Sequence, residues 1–246
     1  MLVIGRNSII ETLRYNPDSV QKIILQEGAS DKKITEIITI ARRKGISIEE
    51  KSRDNFKKIF DKKNKSEGIS QGVVAISSEF AYSDFDEIIS SLKEKNNSLL
   101  VILDEIQDPH NLGAIIRTSA ASGADAVILS AKNSAKVTHT VIKSSAGAVN
   151  FIPVVQSQNI YKTIENLKAE GFSVVGTDSK AGKDLNGYHF PAFVIVVLGN
   201  EGYGIRKNIL KMCDDLIKIP LNKKVQSLNV SVAAGIILYE ALRQKT

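Results

Sequence analysis

Three polar stretches in the second half of the chain each follow a short apolar run. The first is Asp104-Glu105-Ile106-Gln107-Asp108-Pro109-His110-Asn111, with Arg117 six residues further on. Asn111 is a residue type that caps helices. Leu112, Ile115, Ile116 and Ala120 then supply an apolar helical face, which sets a guanidinium beside it at Arg117. A long cation beside an apolar surface can serve a site, and the stretch alone fits a snorkelling surface arginine equally well. The second stretch is Gly199-Asn200-Glu201-Gly202-Tyr203-Gly204. Three glycines in six residues permit positive φ and close backbone approach to a ligand. The pattern is neither GxGxxG nor GxxxxGK[ST], so a dinucleotide or phosphate-loop site is not indicated. A carboxylate at Glu201 suits a cationic or hydroxyl-bearing ligand better than a pyrophosphate. The third stretch runs from Pro220 to Ser231 and offers Ser227 and Asn229, which cap well and can point into a pocket.

These stretches need a scaffold that brings them together. Six short β-branched runs occupy residues 99–103, 126–129, 151–155, 173–177, 193–198 and 216–219. Helical patterns at 112–122, 135–145, 160–170, 205–212 and 228–243 separate most of them. Strands alternating with helices imply a mostly parallel sheet covered on both faces. Ligands of such sheets lie beyond the carboxyl ends of the strands, which is where the three stretches fall.

The first 77 residues read as a separate small α/β/α domain. Residues 7–14 form a short helix with Asn7 or Ser8 as cap, 20–25 a strand, 31–44 an amphipathic helix, and 46–48 and 72–76 further strands. Residues 78–98 are expected to be a linker holding a short helix at 84–95, and 99–246 a second domain.

Composition narrows the function. The 246 residues are 43% hydrophobic and 24% charged, ordinary for a globular chain and unlike a disordered one. Cys213 is the single cysteine, which excludes an intramolecular disulfide framework and a cysteine-based zinc site. His110, His139 and His189 are far apart, so no metal is expected. No apolar run approaches spanning length, and the start MLVIGRNSIIETL has no signal-peptide core; no membrane partner and a cytoplasmic location are expected. The net charge is +6, and residues 1–80 carry 15 basic against 11 acidic side chains. Lys57, Lys58, Lys62, Lys63 and Lys65 fall within nine residues, a patch that can neutralise nucleic-acid phosphates or be a solvated loop. Aromatics are 6% with no Trp, too few for a multi-base stacking platform.

Taken together, the stretches resemble the SpoU/TrmH family of the SPOUT superfamily, S-adenosylmethionine-dependent RNA ribose 2′-O-methyltransferases. The carrying residues are 108–117 (DPHNLGAIIR), 198–205 (LGNEGYGI), 219–221 (IPL) and 227–231 (SLNVS). Gly5-Arg6-Asn7 with Glu11, and residues 71–75 (QGVVA), resemble the L30e-like substrate-binding domain of the branch that methylates a guanosine of 23S rRNA. The resemblance implies a deep trefoil knot in the C-terminal domain, a homodimer with the active site near the subunit interface, and an RNA substrate. It implies that S-adenosylmethionine is held by Thr177, Leu198, Gly199, Asn200, Gly202, Ile219, Pro220, Leu228 and Asn229. It also implies that Arg117, assisted by Asn111, Glu201, Ser227 and Asn229, serves the reaction. Arg6 and the lysine cluster would then bind RNA.

Two alternatives remain open at this point. One is ribose methylation of tRNA or of another rRNA nucleotide, as in a thiostrepton-resistance methylase of similar layout. The other is a non-catalytic RNA-binding factor of ribosome assembly. The presence of Asn111, Arg117, Glu201, Ser227 and Asn229 together argues for an enzyme, and the missing GxGxxG argues against an oxidoreductase.

Overall fold

The computed structural model describes residues 2–59 in full, the backbone of 60–63, and residues 71–222 and 224–245. The chain divides into two compact units, Met1–Ala81 with Val137–Asn150, and Tyr82–Lys136 with Phe151–Thr246.

In the first unit, β1 (Leu2–Ile4), β2 (Val20–Gln26), β3 (Ser47–Lys51) and β4 (Val73–Ser77) form a sheet of order β1-β4-β2-β3. β4 runs antiparallel to both β1 and β2, and β2 is parallel to β3. One sheet face buries Val3, Ile23, Leu25, Val73 and Ala75 against α1 (Arg6–Tyr15) and α2 (Lys32–Arg43). The other face packs Ile24 and Val74 on Phe56 of α3 (Arg53–Lys63). α2 follows its apolar spacing: Ile34, Ile37 and Ala41 are buried, and Asp31 accepts the Ile34 N–H at 2.9 Å as cap. α1 departs from expectation. It begins after Gly5 at φ +92°, with no side-chain cap, because glycine alone reaches that turn without strain. Asn7 and Ser8 lie inside the helix.

In the second unit, the strands are β5 (Ser98–Asp104), β6 (Ala126–Ser130), β7 (Val154–Ser157), β8 (Ser173–Thr177), β9 (Lys183–Asp184), β10 (Phe193–Gly199) and β11 (Asp215–Lys218). Their order is β7-β6-β5-β10-β8-β11-β9, and every pairing is parallel. β5 and β6 are buried along their whole length, as continuous apolar runs require. One sheet face packs Leu100, Ile102, Ile128, Ile195 and Val197 against α7 (Ile160–Ala169) and α8 (Lys207–Leu210). α5 (Pro109–Ala121) packs on β6 and α9 (Val230–Arg243), and α9 on β10. A sheet layered between helices is the architecture the alternation predicts, with β9 as a short added edge.

Two segments make tertiary contacts that the pattern does not show. Within the expected 78–98 linker, the expected short helix is α4 (Phe85–Leu92), which lays Phe85, Ile88, Ile89 and Leu92 on the larger sheet's core. The helical pattern at 135–145 becomes α6 (His139–Ser144), which belongs to the first unit and packs on α1 and β1. Val141 and Ile142 are buried there, and the His139 Nε2 lies 3.1 Å from the Ile4 carbonyl. These are tertiary contacts, which local periodicity does not encode.

Candidate active site

Because every strand of the large sheet is parallel, the loops after β5, β10, β8 and β11 emerge on one edge. The chain winds outward from β5 through β6 to β7, crosses to place β8 beyond the opposite side of β5, and later inserts β10 between β5 and β8. Loops that follow two strands flanking such a reversal form a natural crevice. Here they are the Asp104–Asp108 loop and the glycine loop of residues 199–206.

The glycine loop folds back on itself. Asn200 N–H donates to the Gly204 carbonyl at 3.0 Å, and Gly204 N–H returns to Asn200 at 2.9 Å. A Cβ at Gly199 would lie 2.1 Å from the Ile205 backbone nitrogen, so the return is possible only for glycine. Two acids at the end of β5 hold the loop down. Asp104, fully buried, accepts Arg206 N at 2.9 Å, Nε at 2.9 Å and Nη2 at 2.6 Å. Glu105, at φ +63°, takes Arg206 Nη1 at 3.0 Å, Asn133 Nδ2 at 3.2 Å and the Tyr203 hydroxyl. The Asn200 amide donates to the Glu105 carbonyl at 2.7 Å. A non-glycine residue at positive φ persists only where its surroundings over-determine it. Burial alone would raise the Glu105 carboxyl. The bonds from Tyr203 and Asn133 and the Arg206 charge outweigh it and hold the group below its ordinary value. The bond to Glu105 pushes the Tyr203 phenol up to about 12, so it stays a donor.

Glu201, at the loop tip, ties the three stretches together. It accepts Asn111 Nδ2 at 3.1 Å and, more weakly, Asp108 N–H at 3.3 Å and Gln107 N–H at 3.4 Å. Asn111 in turn accepts Asn229 Nδ2 at 3.1 Å. Asn229 caps α9 through Ser231 N–H at 2.9 Å, as expected. Asn111 does not cap α5. Asp108 takes that role, accepting His110 N–H at 2.8 Å with Pro109 next in the first turn. The amide of Asn111 is thereby free to bridge Glu201 and Asn229.

A cleft of about 700 Å³ opens beside this junction. That size suits a small-molecule site. Of the nine residues expected to hold a cofactor, all but Pro220 line it. Thr177 also spends its hydroxyl on the Val197 carbonyl at 3.1 Å. Glu201 and Ser227 line the cleft as well, whereas Asn111 stands behind Glu201. Arg117 is exposed on α5 and does not line the cleft. Asp178 and Glu201 supply carboxylates to the wall, and Lys180 and Lys218 supply cations. Such a wall matches a ligand carrying an ammonium, a carboxylate and a sulfonium. No group of three or more His, Cys, Asp or Glu among the described residues could hold a metal ion.

In the first unit, Arg6 is tied down by an ion pair with Asp31 and by Nε donation to the Gln71 carbonyl at 3.0 Å. Lys57 and Lys58 are exposed on α3, whereas the side chains of Lys62, Lys63 and Lys65 lie outside the described residues. Burial pushes the Cys213 thiol up to about 12, which leaves it an inert packing group. No helix of the described residues is long and apolar enough to cross a membrane. Sequence reasoning missed Asp104, Glu105, Tyr203 and Arg206 as a unit. The signal was an acid pair ending an apolar run and an arginine two residues past the last loop glycine.

Comparison with known proteins places this arrangement. Residues 98–239 match the profile of the SpoU rRNA Methylase family, and residues 2–83 that of an RNA 2′-O ribose methyltransferase substrate-binding domain. YacO of Bacillus subtilis (strain 168), named as a TrmH family tRNA/rRNA methyltransferase, is 36% identical over 244 residues, 99% of this chain and 95% of that protein. A Staphylococcus aureus (strain COL) protein of the same family is 36% identical over 245 residues, covering 99% and 96%. Among solved structures, the SpoU methyltransferase AviRb of Streptomyces viridochromogenes, in complex with AdoMet, superposes with a TM-score of 0.75 at 26% identity. That match covers all of this chain and 90% of AviRb. The TrmH/SpoU tRNA modifying enzyme of A. aeolicus gives 0.56 at 31% identity over 65% of this chain and 81% of its own. Full-length identity at this level, with both domain profiles in register, means that the chain belongs to the SpoU rRNA methylase family.

Proposed function

We propose that this protein transfers a methyl group from S-adenosylmethionine to a ribose 2′-hydroxyl of RNA, with a guanosine of 23S rRNA as the target. The observation that carries the reading is the Glu201–Asn111–Asn229 junction, which fastens three separate loops at the wall of the cleft. When bound, S-adenosylmethionine supplies an electrophilic methyl carbon. The residues of the chain supply alignment. Backbone groups at Leu198–Gly199, Ile219 and Leu228 form the bed. Glu201, steadied by Asn111, presents a carboxylate to the cleft. Through its five fixed N–H donors, the Arg117 guanidinium fixes an RNA phosphate and stabilises charge on the 2′ oxygen. Its distance from the wall of its own cleft supports an active site completed at a subunit interface.

A homodimer is supported by α9. Its inner face buries Ala234, Ile237, Leu238 and Ala241, while Val232, Ile236 and Tyr239 remain exposed at 51%, 40% and 66% with helical spacing. An apolar stripe of this kind marks an interaction surface. The knot implied by the family is consistent with β10 lying between β5 and the earlier β8. The first unit, with Lys57 and Lys58 on α3, would deliver structured RNA through its phosphates. The two-domain layout, with a substrate-binding domain over residues 2–83, favours rRNA; the likeness to a tRNA modifying enzyme gives tRNA its place in the test. We place the protein in the cytoplasm, where its RNA is.

The test is tritium transfer from labelled S-adenosylmethionine to unmodified 23S rRNA and, in parallel, to unmodified tRNA. Alkali-resistant label at one 23S guanosine supports the reading in full. Label in tRNA alone moves the substrate. No label with cofactor binding intact overturns both substrates, and no cofactor binding overturns the enzyme reading.

A further inference from the structure

Tyr203 is more exposed than a large aromatic in a folded loop needs to be. It is 57% accessible, yet its hydroxyl donates to Glu105, whose side chain is only 7% accessible. The phenol is therefore pinned at one end while the ring stands in solvent. Burial drives aromatic rings inward, so a ring held outward by a buried anchor spends solvation without a folding return. Of the exposed aromatics among the described residues, only Tyr203 lines the cleft.

The anchor also says which side of the cleft the ring serves. Glu105 follows β5, and Asn133, which shares its carboxylate, follows β6. Of the expected cofactor bed, Thr177 and Ile219 lie across β10, at the ends of β8 and β11, while Leu198, Gly199, Asn200 and Gly202 end β10 and form the near side of the loop that carries Tyr203. The hydroxyl is thus fixed on the flank away from Thr177 and Ile219, above the strand that leads into α5 and Arg117. A ribose 2′-hydroxyl brought to the cleft carries its base with it, and that base has left its stack. Unstacked bases lie on aromatic faces, and each such contact is sequence-tolerant. A ring already immobilised loses little freedom on binding.

We propose that Tyr203 is the face on which an unstacked RNA base rests while its nucleotide is held at the cleft, with Glu105 fixing the ring in position. The proposal rests on the RNA methyltransferase reading above and adds a substrate contact to it.

Four full-length proteins test it: wild type and Tyr203→Ala, Tyr203→Phe and Tyr203→Trp. The chain has no tryptophan of its own, so the last reports on position 203 alone. Tyr203→Ala is expected to raise the KM for whichever RNA, 23S rRNA or tRNA, the wild type methylates by about 5- to 100-fold, the usual range for losing one base stack. The Kd for S-adenosylmethionine should stay close to wild type; the thermal midpoint should fall by a similar amount in Tyr203→Ala and Tyr203→Phe, which both lose the bond to Glu105. Tyr203→Phe keeps the ring but frees it, giving a smaller rise. Tyr203→Trp retains the low KM, and its fluorescence is quenched when that RNA is added. Unchanged KM in Tyr203→Ala overturns the proposal while leaving the reading intact. A weakened cofactor Kd with unchanged RNA KM also overturns it, since the ring then serves the adenine of S-adenosylmethionine. Wild-type protein that labels neither RNA overturns the reading and the proposal with it.

Discussion

Asn111 and Glu201 stand ninety residues apart in the chain and meet side chain to side chain, Nδ2 to Oε1, at 3.1 Å. One is buried in the first turn of α5; the other tips an exposed glycine loop. The same asparagine reaches Asn229 at the start of α9 through its oxygen. Its two ends cannot be exchanged: the NH2 must face the carboxylate and the carbonyl the second amide. The junction is therefore oriented as well as closed.

Glu201→Ala and Asn111→Ala should each lower kcat/KM by about 10- to 100-fold, the range for hydrogen bonds to a charged group. Because the two residues share one bond, the double variant should lose much less than the product of the single losses. Single-turnover methyl transfer with the four proteins of this cycle measures the coupling. Independent effects would mean that the bond does not hold the site together.

Most of the scaffold was legible because the strands are buried on both faces. β5, β6 and β10 read as unbroken apolar runs, and the helices between them show their own spacing. What escaped depends on closure across the chain. The Asp104–Arg206 clamp joins residues 102 positions apart. Asn111 lost its expected capping role to Asp108 because Pro109 sets the helix start and Glu201 claims the amide. By its sequence, the glycine loop reads as a place for a ligand to approach the backbone. At Gly199 the close approach is made by the loop itself.

Gly199→Ala follows from that geometry. The new methyl would meet Ile205 N at 2.1 Å and Gly204 C at 2.2 Å, both backbone atoms that cannot rotate away. Overpacking of this kind costs about 1–3 kcal/mol or more. In a chain of this length that lowers the melting temperature by about 2–12 °C. Binding of S-adenosylmethionine should weaken in parallel, since the displaced loop forms part of the cleft. Gly182→Ala is the control, because nothing lies within 4 Å of its added carbon. Thermal scanning and calorimetry should separate the two variants.

The exposed stripe on α9 predicts the assembly state. Wild-type protein should sediment at twice the chain mass. Tyr239→Glu and Ile236→Glu each set a charge on that stripe and should yield folded monomers with unchanged far-ultraviolet circular dichroism. Burying an unpaired carboxylate in an interface is costly enough to reverse a dimer of ordinary strength. Methyl transfer should fall with the dimer if the site is completed there. A monomeric wild type would leave the stripe without that role.

His139 makes the first unit sensitive to pH. Burial lowers its affinity for a proton, the Ile4 carbonyl pulls the other way, and Lys143 adds to the burial effect. The folded value therefore lies below the ordinary 6.5 of the unfolded chain. Below pH 6.5 the unfolded state binds more protons than the folded state, so stability falls as the pH drops through that window, and it is at its full value above it. The carboxylates that are held low, such as Asp31, Glu49 and Glu105, contribute in the same direction but only below about 4.5, where unfolded carboxyls titrate. Between pH 5 and 7.5 the imidazole is thus separable from them. Amide exchange at β1 and α6 should quicken at pH 5.5 relative to 7.5 once the intrinsic rate is corrected. In His139→Gln, which can still donate to Ile4, that difference should shrink. A pH dependence identical in wild type and variant would assign the loosening to other groups.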